Sequence, residues 1–365
     1  MQAQFKSATA KRKVSVFVVD DSLVYRNLLR SALTQDPEIE FLGTAIDGKF
    51  ALPKIAQLKP DIVILDVEMP ELDGIQTLAE IKKRFPETKV IMLSALTIEG
   101  AKITLKALEM GAIDFVPKPS ADGSGVEGVG EALVSLTAKI KELQNHERII
   151  SIQETAPPPP KVSGVARKLD NQFRLCAIGI STGGPIALRQ LFSGIPYGFE
   201  GTIVVAQHMP PLFTNYLAES LSQASNITVK EAEDGEVLKK GVAYIAPGGK
   251  QLEVIHDSEG PKAKVFSGPP AELCKPSVNI LFHSLARSFP RETIGVIMTG
   301  MGEDGYLGLK ELRENGAYLL AQNQESCTVY GMPNRPTKEG LINEVLNVEK
   351  LAERITQLFQ RSGKK

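Results

Sequence analysis

The sequence predicts two doubly wound parallel-sheet α/β domains in tandem, and three observations predict them. The 365 residues exceed what one hydrophobic core usually serves, since single cores seldom grow beyond roughly 250–300 residues. Short apolar runs alternate with helix-length segments twice, once on each side of a proline-rich stretch. Those runs lack polar alternation, the pattern of parallel strands covered by helices on both faces.

In the first series the apolar runs are 14–19, 41–45, 62–65, 90–93 and 113–116, giving five βα units. The fifth helix is expected over 131–146, after a glycine-rich turn at 123–130, so the first domain spans 14–146. Periodicity then fails. The four prolines at 157–160 fit neither a helix interior nor a central strand, and 147–172 is expected to be a linker, extended over the proline run. The second domain, 173–362, carries strands at 175–180, 202–206, 242–245, 293–298 and 317–320. Its helices are expected at 185–192, 212–223, 277–287, 305–314 and 348–361. Residues 251–255 and 262–266, separated by the turn-forming residues 257–260, read as an inserted antiparallel β-hairpin.

Composition removes several classes of function. With 42 basic against 43 acidic residues, no charge excess exists to capture nucleic acid or an anionic membrane. Cys176, Cys274 and Cys327 lie far apart without C-x-x-C spacing, against a disulfide framework or a structural zinc site, and are expected to be buried thiols in a reducing compartment. No apolar run approaches the roughly 20 residues of a membrane span. A soluble, cytoplasmic protein without membrane insertion is expected.

In the first domain, Asp20 and Asp21 end the first strand, Asp66 ends the third, and Lys118 follows the fifth. A parallel sheet brings all four to its carboxyl edge, where such sheets bind ligands. Three carboxylates around one point suit a hard divalent cation with oxygen ligands. Asp66 could then attack phosphorus, with Lys118 neutralising the transferred group. Any single aspartate could merely cap a helix or favour a turn. The ordered set is more specific: Val-Val-Asp-Asp-Ser at 18–22, Leu-Asp-Val-Glu-Met-Pro at 65–70, Asp73-Gly74, Ser94-Ala95 and Pro-Lys-Pro at 117–119. It resembles the receiver domain of two-component response regulators, which are flavodoxin-like. The resemblance implies that Asp66 is the phosphoacceptor, that Asp20, Asp21 and Asp66 hold Mg²⁺, and that Lys118 contacts the phosphoryl group. It further implies that Ser94 and Phe115 couple phosphorylation to a surface change.

In the second domain, Arg-Leu-Cys-Ala-Ile-Gly-Ile-Ser-Thr-Gly-Gly-Pro at 174–185 runs from an apolar strand into a glycine turn with Ser181 at its apex. By itself this suits either a nucleophile elbow or a phosphate cradle. A dinucleotide cradle requires an acid at the end of the second strand, where Gln207 and His208 stand. A serine nucleophile requires a base and an orienting acid. His208 is the candidate base because it follows a strand at the same sheet edge; His146, His256 and His283 read as surface or satisfied core histidines. Composition leaves the acid open among Glu231, Asp234, Asp257, Glu303 and Asp304, and topology narrows it to the glycine-rich turn at 299–305, which carries Glu303 and Asp304. Either could instead be a helix N-terminal acid. The chain order Ser, His, acid differs from that of α/β-hydrolases, so the elbow match is geometric only.

Gly-Ile-Ser-Thr-Gly-Gly-Pro at 179–185, Gln-His-Met-Pro-Pro at 207–211, Glu-Ala-Glu-Asp-Gly at 231–235, Tyr-Ile-Ala-Pro-Gly at 244–248 and Thr-Gly-Met-Gly-Glu-Asp-Gly at 299–305 together resemble the CheB-type protein-glutamate methylesterases. Ala-Gln-Asn at 321–323 and Gly-Met-Pro at 331–333 extend the resemblance. It implies a Rossmann-like serine hydrolase acting on glutamate methyl esters of chemoreceptors and deamidating receptor glutamines, without a cofactor for hydrolysis. A chemotaxis histidine kinase is then the phosphodonor, and the unphosphorylated receiver covers the esterase cleft until Asp66 is phosphorylated. Position by position, Ser181 is the nucleophile, His208 the general base and Asp304 its orienting acid, with the Met301 amide at the oxyanion. The sequence departs from the family pattern at Ile180, where alanine is common, and at Glu303, where asparagine is common.

Overall fold

A computed structural model describes residues 12–118, 130, 132–144, 174–269, 272 and 274–362. The expected linker at 147–172, the glycine-rich turn at 123–129 and His146 lie outside the described residues. The chain divides into two compact units, one built on a five-stranded sheet and one on a seven-stranded sheet, both wholly parallel.

The first sheet comprises β1 (Val14–Val19), β2 (Ile39–Ala45), β3 (Ile62–Asp66), β4 (Lys89–Ala95) and β5 (Asp114–Lys118), in the order β2-β1-β3-β4-β5. Its helices are α1 (Leu23–Gln35), α2 (Gly48–Leu58), α3 (Gly74–Arg84), α4 (Ile98–Glu109) and α5 (132–144). Every residue of β3 is buried, as the unbroken apolar run requires. Side chains set three helix starts: Ser22 accepts from the Tyr25 amide, Asp47 from that of Phe50, and Asp73 and Gln76 form a reciprocal capping box. Strand β5 extends through Lys118, which therefore lies within the strand rather than after it, because Ser94 pairs with Pro117 and Ala95 with Lys118. Pro117 is tolerated there because β5 is an edge strand, where a missing N–H breaks no inner ladder.

The second sheet runs β14-β13-β12-β6-β7-β9-β8. Its strands are β6 (Leu175–Ile180), β7 (Thr202–Gln207), β8 (Thr228–Glu231), β9 (Val242–Ile245), β12 (Thr293–Ile297), β13 (Tyr318–Gln322) and β14 (Glu344–Leu346). Both edge strands, β8 and β14, escape the sequence reading: they are short and mixed in polarity, as exposed edges tend to be. The expected hairpin forms from β10 (Gln251–Asp257) and β11 (Gly260–Phe266), with Ser258 and Glu259 alone in the turn. His256 accordingly lies in a strand, stacked on Phe289. The helices are α6 (Gly184–Ser193), α7 (Phe213–Ala224), α8 (Val278–Ser288), α9 (Tyr306–Glu314), α10 (Asn334–Lys338) and α11 (Val348–Ser362). Only five residues long and containing Pro336, α10 offers no helical period to read.

Leu252 and Val254 of the hairpin join Phe282 and Leu285 of α8 and Tyr244 of β9 in one buried cluster. The chain leaves β6 towards β7, β9 and β8 on one side, then returns to place β12, β13 and β14 on the other. The strand order therefore reverses between β6 and β12, and ligands of open α/β sheets bind at the carboxyl end of such a reversal. Among the described residues no helix is long and apolar enough to cross a membrane.

Gly74 begins α3 so close to the end of β3 that a Cβ there would overlap the Asp66 carbonyl and the Val67 backbone. Backbone cannot yield as a side chain can, so Gly74→Ala is expected to destabilise the first unit by roughly 1–3 kcal/mol. A thermal or urea melt of the variant measures this, and an unchanged midpoint would contradict the close approach.

Candidate functional sites at the two sheet edges

The first cluster gathers at the carboxyl edge of the five-stranded sheet. Lys118 Nζ lies 2.8 Å from Asp20 Oδ2 and 2.6 Å from Asp66 Oδ2. Asp20 and Asp66 are buried, whereas Asp21 is exposed, and one oxygen from each of the three lies within 4.8 Å of the others. The Ser22 amide donates to Asp20 Oδ1, but Asp20 Oδ2 has no hydrogen-bond partner of good geometry. Burial drives the Asp66 pKa up, Lys118 opposes it, and Asp20 and Asp21 add to the rise, for a net value of about 6. Crowded, incompletely satisfied carboxylate oxygens open to solvent on one side form a donor set that fits a hard cation such as Mg²⁺. Ser94 is buried at the end of β4 and Phe115 is buried in β5. Tyr25 of α1 was absent from the sequence reading; its ring lies under the Lys118 ammonium, 4.8 Å from the centroid.

The second cluster sits at the strand-order reversal of the seven-stranded sheet. Ser181 follows β6, His208 follows β7, and Asp304 lies in the loop after β12. His208 Nδ1 is 3.2 Å from Ser181 Oγ, and Nε2 is 2.8 Å from Asp304 Oδ2. A hydroxyl, an imidazole and a carboxylate thus form one hydrogen-bonded chain. Burial disfavours the charged ring, but the hydrogen bond that His208 donates to Asp304, contact with Cys274 and the Asp304 charge outweigh it and raise the His208 pKa to about 9.

Of the two adjacent acids, Asp304 is the one that faces His208. Its Oδ1 accepts from Ser277 Oγ at 3.1 Å and the Asn279 amide at 2.9 Å, while Oδ2 accepts from the Val278 amide at 2.7 Å. The carboxylate therefore lies on the N-terminus of α8, a helix supplied by another part of the chain, and satisfies amides that helix cannot satisfy itself. Burial alone would raise its pKa; the His208 hydrogen bond and charge and the α8 amides reverse that and hold it below the ordinary range. Glu303 turns away and pairs with Arg335 at 2.6 Å. The other acids are engaged elsewhere: Glu231 accepts from Thr214, Asp234 from the Val265 amide, and Asp257 pairs with Lys262 in the hairpin. His283, in the middle of α8, binds Glu311 of α9.

Buried amides that the sequence reading did not single out for this role hold the loops in place. Gln207 Nε2 donates to the backbone carbonyls of Ser181 at 3.0 Å and His208 at 3.1 Å, tying two members of the chain together. A Cβ at Gly184 would overlap the Gln207 amide, which explains one of the paired glycines. Gln322 Oε1 accepts from the Thr299 amide, and the Thr299 carbonyl in turn accepts from the Ser181 amide, so β13 braces the Ser181 turn. Gly300 O accepts from the Gly331 and Met332 amides, anchoring the segment next to Met301, whose own amide donates no hydrogen bond among the described residues. Of the three cysteines, Cys176 and Cys327 are buried, but Cys274 is partly exposed beside His208 and Asp304, a departure from the expectation of three buried thiols.

The family described as CheB methylesterase matches residues 176–355, and the response regulator receiver domain matches residues 16–129. A "protein-glutamate methylesterase/protein-glutamine glutaminase" of Lawsonia intracellularis is 41% identical over 355 residues, covering 95% of this chain and 99% of that protein. One of the same description from Trichodesmium erythraeum is 39% identical, covering 94% of this chain and 98% of its own. The crystal structure of the Thermotoga maritima CheB methylesterase catalytic domain is similar at 38% identity and a TM-score of 0.50, covering 51% of this chain and 98% of that one.

Removing the Asp304 carboxylate orphans the Val278 and Asn279 amides. Asp304→Ala is therefore expected to lower the stability of the second unit by about 1–3 kcal/mol, and Glu303→Ala to stay within about 0.5 kcal/mol of the parent. Urea unfolding of both variants checks this; equal losses would contradict the distinct placement of the two acids.

Proposed function

The chain belongs to the CheB methylesterase family, joined to a response regulator receiver domain, and on that premise we propose that it hydrolyses glutamate methyl esters on chemoreceptors and deamidates receptor glutamines. Ser181, His208 and Asp304 carry the reaction, and phosphorylation at Asp66 raises its rate. The observation that carries this reading is the unbroken hydrogen-bond chain from Ser181 Oγ through His208 to Asp304 at the strand-order reversal.

The hydrogen-bond geometry supports one proton path. In the neutral ring, the form that acts as base and whose share grows as pH rises towards the raised pKa of about 9, an ionised Asp304 accepts the Nε2–H of His208, which leaves Nδ1 as the bare nitrogen facing Ser181. His208 takes the hydroxyl proton as Oγ bonds to the ester carbonyl carbon, and the carbonyl oxygen becomes an oxyanion. Asp304 stabilises the imidazolium that forms, while the α8 N-terminus keeps Asp304 from taking the proton itself. The unbonded Met301 amide is the proposed donor to the oxyanion, an interaction whose loss typically costs about 2.7–4 kcal/mol. His208 then protonates the departing oxygen, methanol leaves, and Ser181 holds the glutamyl acyl group. Water attacks that ester, gives its proton to His208, and the collapse returns Ser181 and releases the carboxyl product. With a glutamine substrate the same sequence releases ammonia.

In the first unit, Asp66 is the proposed phosphoacceptor and its carboxylate attacks the phosphorus of a phosphodonor, which in the cell is a chemotaxis histidine kinase. Asp20, Asp21 and Asp66 would hold Mg²⁺, which when bound neutralises charge on the transferring phosphoryl group. Lys118 stands within ion-pair distance of Asp66, which supports its proposed contact with the phosphoryl oxygens. Ser94 and Phe115 are the proposed residues through which the change is relayed.

Ser181→Ala is expected to reduce methanol release from methylated receptors by roughly 10⁴–10⁶-fold, measured by turnover of purified protein; retention of parental turnover would overturn the assignment. Asp66→Asn is expected to abolish stimulation by acetyl phosphate with Mg²⁺ while leaving unstimulated turnover in place. A variant stimulated as strongly as the parent would refute control through Asp66.

A further inference from the structure

Cys274 is the one of the three cysteines that is not buried, and it stands where neither the catalytic chain nor the helix caps need a thiol. One ligating atom each from His208, Cys274 and Asp304 lie within 4.8 Å of one another. The loop carrying the thiol is clamped by Gln251, which is fully buried: Nε2 donates to the Cys274 carbonyl at 2.7 Å, and Oε1 accepts from the Ser277 amide at 2.7 Å. Asp304 is held from the other side by Ser277, Val278 and Asn279. The sulfur and the carboxylate therefore do not depend on His208 for their positions. Both the ring and the carboxylate retain some solvent exposure, 18% and 12% of their side chains, so the cluster can be reached from outside.

We propose that His208, Cys274 and Asp304 form a binding site for a borderline divalent cation such as Zn²⁺, and that its occupation switches the esterase off. Sulfur, nitrogen and oxygen donors together suit zinc rather than magnesium, and three protein ligands leave a fourth position for water. Ligand atoms about 2.0–2.3 Å from one tetrahedral cation stand roughly 3.3–3.8 Å from one another, so His208 Nε2 and Asp304 Oδ2, 2.8 Å apart, open slightly, and the sulfur, within 4.8 Å of the other ligand atoms, approaches by no more than about an ångström. The thiol loses its proton to solvent, and the cation replaces the imidazole proton on Asp304 Oδ2. One thiolate, one carboxylate and a neutral imidazole balance the two positive charges. A neutral ring with a metal on one nitrogen keeps its proton on the other. Metal on Nε2 therefore puts N–H at Nδ1, facing Ser181 Oγ as a donor, and metal on Nδ1 occupies that nitrogen outright. Either way the base is lost. The site differs from the all-oxygen cluster of the first unit in both its donors and its preferred cation.

The inhibitory consequence rests on the serine esterase reading; the metal site does not, and the test separates them. The full chain, with saturating Mg²⁺ and no thiol or chelator in the buffer, is titrated with Co²⁺ and then with Zn²⁺. One equivalent of Co²⁺ is expected to give a thiolate-to-cobalt charge-transfer band that Zn²⁺ abolishes by displacement. Cys274→Ser and Cys274→Ala should lose the band and bind zinc roughly 100-fold more weakly or worse, given that even supporting residues of metal sites cost 10–100-fold. Zinc should suppress methanol release from methylated receptors in proportion to occupancy, with recovery on chelation, while each cysteine variant keeps, at the same zinc concentration, the turnover that it shows without zinc. A band that persists in the cysteine variants would overturn the site. Full zinc occupancy with undiminished turnover would overturn the inhibition. A chain that hydrolyses no ester under any condition would instead refute the esterase reading, and the cobalt band would still decide the metal site.

Discussion

The contact on which the second unit depends is the seating of the Asp304 carboxylate on the N-terminus of α8. A buried carboxylate is costly unless its lone pairs are filled, and here the Ser277 hydroxyl, the Val278 and Asn279 amides and the His208 ring fill them. The same contact does two jobs that would otherwise conflict. It satisfies the open amides of α8, which packs beneath the hairpin and against the sheet, and it keeps an ionised acceptor facing imidazole. A helix that terminated anywhere else would leave the acid free to protonate and the ring free to turn.

Around this contact the loops are braced by buried amide side chains rather than by apolar packing. Gln207 ties the Ser181 and His208 carbonyls, Gln251 ties the Cys274 and Ser277 backbones, and Gln322 ties Thr299. All three are almost or wholly inaccessible to solvent. Backbone that leaves the sheet at its carboxyl edge has no ladder partners, so its polar groups need others, and a glutamine supplies a donor and an acceptor on one stiff plane. Glycines at 184 and 300 let these braces approach, since a Cβ at 300 would press on Met332 and on Ser181 itself. Glu303, one residue from Asp304, is held away from His208 by its pairing with Arg335, whose guanidinium also covers the Tyr306 ring at 3.8 Å.

The two clusters use one architectural rule for opposite electrostatic ends. At the first sheet edge, carboxylates crowd together until burial and mutual repulsion raise the pKa of Asp66 to about 6, a field that one cation relieves and that Lys118 only partly offsets. At the second, a single carboxylate is so well satisfied that it stays ionised and raises the pKa of its histidine partner. The proposed phosphoryl and ester chemistries therefore divide between the units according to how many acids meet at each edge.

Much of this was legible in the sequence. Unbroken apolar runs encode parallel strands locally, so ten of the twelve strands of the two sheets and the hairpin were placed to within a few residues, and strand-end residues such as Asp20, Asp66, Ser181 and His208 followed from them. The strands β8 and β14 were not legible, because at an exposed edge nothing forces an apolar pattern on three or four residues. The motifs placed Ser181, His208 and Asp304 on loops at one sheet edge. Which of two adjacent acids faces the ring, which ring nitrogen meets the hydroxyl, and where Cys274 sits were decided only by tertiary structure. Those facts depend on side-chain directions in loops up to 96 residues apart in the chain and on the end of α8, which meets Asp304 only when the domain folds. Strand identity is set by neighbours in sequence, whereas the pairing of acid, base and thiol is set by neighbours in space.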